Sequence, residues 1–132
     1  MDNVVAVILA AGQGTRMKSD LPKVLHPVCG KSMIMHVVDS VKAAGISRVI
    51  VVVGYEADKI KTELGDSVEY VLQEQQMGTG HAVMQTEHLL DSFNSNVVIL
   101  YGDVPALSSD TLKQLIQVHV CEQNAATVLT AV

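Results

Sequence analysis

The stretch Val4–Leu9, "VVAVIL", is apolar at every position. A strand with one wet face alternates apolar and polar residues, so an unbroken run belongs in a sheet covered on both faces. The pattern recurs at "SRVIVVVG" (Ser47–Gly54), "SVEYVLQ" (Ser67–Gln73), "NVVILYGD" (Asn96–Asp103) and "AATVLTAV" (Ala125–Val132). Between these runs the apolar spacing turns helical. Ser32–Ala44 puts Ile34, Val37, Val38 and Val41 on one face, and Gly45 supplies the stop. Ala57–Leu64 reads as a short polar helix closed by Gly65, with Glu56, Asp58, Lys59, Lys61 and Glu63 on a solvated face. Thr79–Leu90 carries Val83, Thr86 and Leu90 on one face. Ser109–Val120 carries Leu112, Leu115, Ile116 and His119 behind an N-cap at Ser108 or Ser109. Strands alternating with helices predict right-handed βαβ units: an α/β fold with a parallel sheet and helices on both faces.

The chain of 132 residues is the size of one domain or of one piece of a larger one. A strand placed at Ala125–Val132 needs a neighbour or a cover. The net charge of −5, with no basic run, argues against nucleic acid and against an electrostatic membrane anchor. A small anion remains an open possibility, because local groups rather than net charge hold it. Val4–Ala11 is too short to span a bilayer and has no basic residues before it, so a cytoplasmic location is expected. Cys29 and Cys121 form no C-x-x-C and belong to no His/Cys cluster; they read as small buried residues kept reduced.

The first strand ends in Ala10, Ala11 and Gly12, followed by Gln13, Gly14, Thr15 and Arg16. Ligands of open parallel sheets bind beyond the carboxyl ends of strands, where the strand order reverses. Small residues let backbone N–H groups approach such a ligand, and Arg16 and Lys23 add charge. Many donors, little bulk and two cations suit a polyphosphate. Neither better-known phosphate loop fits. No G-x-x-x-x-G-K-[ST] is present, and the third glycine of G-x-G-x-x-G is replaced by Met17. The connection from Gly12 to the next helix, roughly twenty residues, is long enough to suggest function. Pro22 stiffens the approach to Lys23.

Two further stretches carry chemistry. In "LQEQQMGTGHA" (Leu72–Ala82), Gln73 closes the third strand and Gly78-Thr79-Gly80 opens a helix. A helix start offers free N–H groups, and a glutamine amide offers the donor and acceptor that a pyrimidine edge requires. The alternative is plain capping by Thr79, and His81 reads as structural rather than catalytic. In "LYGDVPAL" (Leu100–Leu107), Asp103 stands at a strand end. A carboxylate beside a phosphate loop commonly holds Mg²⁺, although Asp103 could instead cap a turn before Pro105. Asp103 faces the Gly12–Arg16 loop only if the first and fourth strands are neighbours. His26, His36, His88 and His119 have neither metal-ligand spacing nor a nucleophile partner.

These three stretches, in this order, closely resemble the sugar-phosphate nucleotidyltransferases, over essentially the whole chain. L-A-A-G-x-G-T-R-M marks the superfamily, while L-P-K-V-L and G-T-G-H-A narrow it. The nearest likeness is to the amino-terminal uridylyltransferase domain of bacterial bifunctional N-acetylglucosamine-1-phosphate uridyltransferases. The resemblance implies a Rossmann-like fold and the reaction of UTP with N-acetylglucosamine 1-phosphate to UDP-N-acetylglucosamine and pyrophosphate. It implies that Leu9, Ala10, Ala11, Gly12 and Gly14 wrap the nucleotide, with Gln73, Gly78 and Thr79 around the uracil. It further implies that Arg16 and Lys23 meet the phosphates, that Tyr101 and Gly102 line the nucleotide and sugar side, and that Asp103 binds Mg²⁺. Family members continue past the point matching Val132, where sugar-binding residues, a second metal ligand and, in bifunctional members, a trimer-forming β-helix domain lie. The chain is thus expected to be an amino-terminal part of the domain, incomplete at its carboxyl end, with a trimer only where that further domain is present. Two alternatives stay open: a relative using another sugar or alcohol phosphate, and a nucleotide-binding fragment without turnover.

Overall fold

The computed structural model describes residues 3–12, 21–91 and 96–130. Four of the apolar runs become strands of one sheet: β1 (Val4–Ala10), β4 (Arg48–Val53), β5 (Glu69–Leu72) and β6 (Asn96–Tyr101). A small antiparallel ladder of β2 (Pro27–Val28) and β3 (Lys31–Ser32) precedes helix α1 (Met33–Ala43). The remaining helices are α2 (Ala57–Leu64), α3 (Thr79–Met84), α4 (Glu87–Leu90) and α5 (Ser109–Cys121). The sheet order is β5-β4-β1-β6 and every pairing is parallel. The chain steps outward from β1 to β4 and β5, then returns to the other side of β1. The order therefore reverses beside β1, and β1 and β6 are neighbours, with Leu9 opposite Tyr101.

The unbroken apolar runs of β1 and β4 are explained by cover on both faces. Val4, Ala6, Ile8 and Ala10 pack with Ile34, Val37, Val38 and Val41 of α1, Ile60 and Leu64 of α2, and Leu112 and Ile116 of α5. Val5 and Val7 point the other way, joining Ile50, Val52, Val71 and Ala82, with Leu89 and Leu90 against them. The second layer is thinner. On β6, Val98 and Leu100 are buried, while Val97, Ile99 and Tyr101 are exposed.

Local chemistry sets the helix ends. Ser32 caps α1 by accepting from Met35 N at 3.3 Å, and its hydroxyl donates to Glu63 of α2 at 2.9 Å. Glu63 thus ties two helices instead of lying on a wholly solvated face. Ser108 is the N-cap of α5, accepting from Thr111 N at 3.1 Å.

Three expectations are corrected. The single helix over Thr79–Leu90 is two short ones. Buried Thr86 donates its hydroxyl to Val83 O at 2.7 Å and its own N–H bonds the same carbonyl at 3.0 Å. That i−3 closure interrupts the i−4 ladder. Residues 125–130 form no strand. Thr127 is instead held beside the end of α5 by His119 Nδ1 at 3.0 Å and Asn124 Nδ2 at 3.2 Å, leaving Val128 and Leu129 exposed. Strand-forming residues without a ladder partner have nothing to fix them as a strand. The cysteines are not buried: both are exposed free thiols. Cys29 and Gly30, at φ +52° and +79°, form the tight turn between β2 and β3, and Cys121 ends α5 on its outer side.

Candidate active site

The carboxyl end of β1 is the floor of a cleft of about 260 Å³. Leu9, Ala10, Ala11 and Gly12 line it directly. On one side the chain leaves β6 through Gly102, whose N–H donates to Leu9 O at 3.0 Å. A Cβ at Gly102 would lie 3.1 Å from Val24 Cγ1 and 3.3 Å from Leu9 O, so any larger residue there would press on the Val24 side chain and the β1 backbone. Asp103 follows. Its Oδ2 lies 3.1 Å from Lys23 Nζ, and neither side chain is fully buried. Lys23 rides on a 3₁₀ turn, Lys23–Leu25, which Pro22 opens and Leu25 N closes by donating to Pro22 O at 3.0 Å. Buried Val24 anchors that turn in the core below.

The other side comes from the end of β5. Gln73 N donates to Val53 O at 2.8 Å, which extends the ladder by one residue and carries the Gln73 side chain into the cleft wall. Gln73 is 3% exposed. Its Nε2 donates to His81 Nδ1 at 2.9 Å and, more weakly, to Gly78 O at 3.4 Å. Gln76 reaches back across the sheet end, its Nε2 donating to Ala11 O at 2.5 Å. Gly78, at φ +97°, is the N-cap residue of α3, a conformation that favours glycine. Thr79 makes no capping bond; its hydroxyl lies 3.4 Å from the Tyr101 hydroxyl across the cleft mouth.

Sequence-chosen residues thus meet at one place. Leu9, Ala10, Ala11, Gly12, Lys23, Gln73, Gly78, Thr79, Tyr101 and Asp103 all line the cleft, and Gly102 shapes its wall. Gly14 and Arg16 lie outside the described residues. Gln76, Val24 and Ala82 line the cleft as well and were not singled out in the sequence. Gln76 had a readable signal, standing three residues after Gln73 in the same glycine-bounded stretch. Val24 and Ala82 had none, because a buried apolar residue at a cleft looks like any other. His81 is the hydrogen-bond partner of the Gln73 amide. A second groove, lined by Tyr70, Leu72, Met84 and His88 among others, contains none of the candidate site residues. Among the described residues no three His, Cys, Asp or Glu side chains gather as a metal cluster. Among them no helix is long and apolar enough to cross a membrane.

Among the described residues the cleft offers one carboxylate, one paired ammonium, a polar wall built around a glutamine, and a floor without bulk.

Residues 6–132 match the family profile of the MobA-like NTP transferase domain. The bifunctional protein GlmU of Brevibacillus brevis is 54% identical over 132 residues, covering 100% of this chain and 29% of that protein. GlmU of Halalkalibacterium halodurans is 53% identical over 131 residues, with 99% and 29% covered. The chain therefore spans less than a third of the length of these curated relatives. Among solved structures, Rv0371c from Mycobacterium tuberculosis superposes with a TM-score of 0.79 at 22% identity, over 91% of this chain and 62% of that one. A nucleotidyl transferase from Methanothermobacter thermautotroptrophicus gives 0.77 at 26% identity, over 89% and 58%. The sheet order, the cleft at the strand-order reversal and these matches lead to one assignment: the chain belongs to the MobA-like NTP transferase family.

Proposed function

We propose that this chain carries the nucleotide-binding side of a uridylyltransferase, which transfers UMP from UTP to N-acetylglucosamine 1-phosphate and releases pyrophosphate. The observation that carries this reading is the convergence of Lys23, Gln73, Thr79, Tyr101 and Asp103 around the small-residue end of β1. The identity to GlmU proteins supports the choice of nucleotide and sugar.

The reaction is an in-line displacement. A phosphate oxygen of the sugar phosphate forms a bond to the α-phosphorus of UTP, and the bond to the bridging oxygen of the β-phosphate breaks. Two polyanions must be brought together, so placement and positive charge supply most of the catalysis. The base lies on the Gln73–Gly78–Thr79 wall. The floor from Leu9 to Gly12 admits the ribose and α-phosphate, and Tyr101 and Gly102 bound the side that the sugar enters. Lys23 exchanges its carboxylate partner for phosphate oxygens, which frees Asp103. Arg16, by the family resemblance, is the second phosphate cation. Asp103, the carboxylate that lines the cleft among the described residues, fits Mg²⁺, which takes one or two carboxylates and completes its shell with substrate phosphates and water. Asp103 is the residue that would hold it. When bound, the ion offsets phosphate charge and polarises the transferring phosphoryl group.

The test measures pyrophosphate release by this chain with UTP, N-acetylglucosamine 1-phosphate and Mg²⁺, with Asp103→Asn as control. Release that the control loses supports the full reading. Bound UTP without release assigns turnover to machinery shared with residues outside these 132. Failure to bind UTP at all refutes the reading.

A further inference from the structure

The Gln73–His81 pair has a consequence for base selection. A glutamine amide can present either its oxygen or its nitrogen to a ligand, and neither end is favoured by the side chain itself. Here the choice is made by the surroundings. Gly78 O can only accept, and it lies 3.4 Å from Gln73 Nε2. The amide nitrogen is therefore the end turned toward the start of α3. His81 Nδ1, 2.9 Å from the same nitrogen, must then be the unprotonated ring nitrogen, accepting the second amide hydrogen. Both hydrogens of the Gln73 amide are thus committed inside the protein. Its oxygen takes no hydrogen bond among the described residues, and it is not a sealed orphan, since His26 Nε2 is the one such buried atom among them. Gln73 lines the cleft, so the oxygen is the end left for a ligand. Gln85 Nε2 donates to the His81 carbonyl at 3.0 Å and lies 3.3 Å from the ring Nε2; a neutral ring accepts at one nitrogen only, and the shorter contact, from the Gln73 amide at 2.9 Å, is the one that takes it.

We infer that His81 is a positioning residue that locks Gln73 as a hydrogen-bond acceptor toward the cleft, and so selects a base whose edge presents an N–H donor. Uracil has that imide N–H. Cytosine has an unprotonated ring nitrogen in its place, which would meet the Gln73 oxygen lone pair to lone pair. With its nitrogen held by His81 and Gly78, the amide cannot turn to accommodate cytosine without leaving buried acceptors unsatisfied. The inference rests on the reading of the cleft as a nucleotide site and deepens it.

The test compares binding of UTP and CTP to the 132-residue chain by calorimetry, for the wild type, His81→Leu and His81→Asn. Leucine removes the acceptor at Nδ1. Asparagine keeps one, because its side-chain oxygen falls near the place of Nδ1. The wild type is expected to prefer UTP by on the order of tenfold or more. His81→Leu is expected to lose most of that preference, chiefly by gaining affinity for CTP, and His81→Asn to restore it. A merely structural role would lower both affinities together and leave their ratio unchanged, and that result overturns the inference. A wild type that binds UTP and CTP equally well also overturns it, whether or not the variants fold. A wild type that binds neither nucleotide refutes the nucleotide-site reading itself, and this inference with it.

Discussion

Gly54→Ala tests how closely the cleft wall is built. Gly54 follows β4, where the chain passes beneath the Gln73–Gln76 segment. A methyl there would lie 3.0 Å from Gln76 Nε2, 3.1 Å from Gln73 O and 3.2 Å from Ala11 O. Two of these atoms are backbone of the sheet ends and cannot swing aside. The third is the amide that donates to Ala11 O, so it cannot retreat without losing that bond. Overpacking a tight site costs about 1–3 kcal/mol, and losing one hydrogen bond about 1 kcal/mol. The sum, about 2–4 kcal/mol, lowers the melting temperature of a chain this size by on the order of 10 °C. Thermal denaturation followed by circular dichroism measures it. Gly80→Ala is the control, since no atom lies within 4 Å of its added methyl and the position is inside α3. It should be stabilising by up to about 1 kcal/mol through helix propensity. If Gly54→Ala melted with the wild type, the close approach of β4 to the Gln76 segment would be refuted.

Three other perturbations separate structure from function. Ser32→Ala removes both the α1 cap and the bond to Glu63, and should cost about 1–2 kcal/mol in urea denaturation. Lys23→Gln breaks a partly exposed ion pair and should change stability by no more than about 1 kcal/mol. The same change should sharply weaken UTP binding measured by calorimetry; equal losses in both would deny Lys23 a phosphate role. Tyr70 has a pKa raised above the ordinary tyrosine value by burial, and secondarily by Asp66. Its hydroxyl donates to Gly65 O at 2.5 Å. A raised folded-state pKa gives stability that is whole below the unfolded value near 10 and is lost as pH rises beyond it. Melting temperatures measured from pH 8 upward should therefore fall in that alkaline window, with a shallower fall in Tyr70→Phe.

Most of the elements can be read directly from residue order, because their causes are local. Val4–Ala10 and Arg48–Val53 are unbroken apolar runs that only a doubly covered sheet can bury. The caps at Ser32 and Ser108 and the small-residue end of β1 act within a few positions of themselves. Where local signals compete, tertiary packing decided. Thr86 has a helical spacing, but its burial let the hydroxyl close on Val83 O and split the helix. Residues 125–130 have strand composition but find no ladder partner. Sequence proposed the candidate site as three separate stretches, and their meeting depended on a strand order that no single stretch contains. Lys23 touches Asp103, and Gln76 touches Ala11, only because β6 lies beside β1 and β4 carries β5 on its other side. The same holds for the amide of Gln73. Its residue type offers a donor and an acceptor alike, and only the three-dimensional placement of His81 and Gly78 O selects which one faces the cleft. Residue types set what each segment can do. The long-range hydrogen bonds of the folded sheet decide which of those capacities meet, because a hydrogen bond exists only at contact distance.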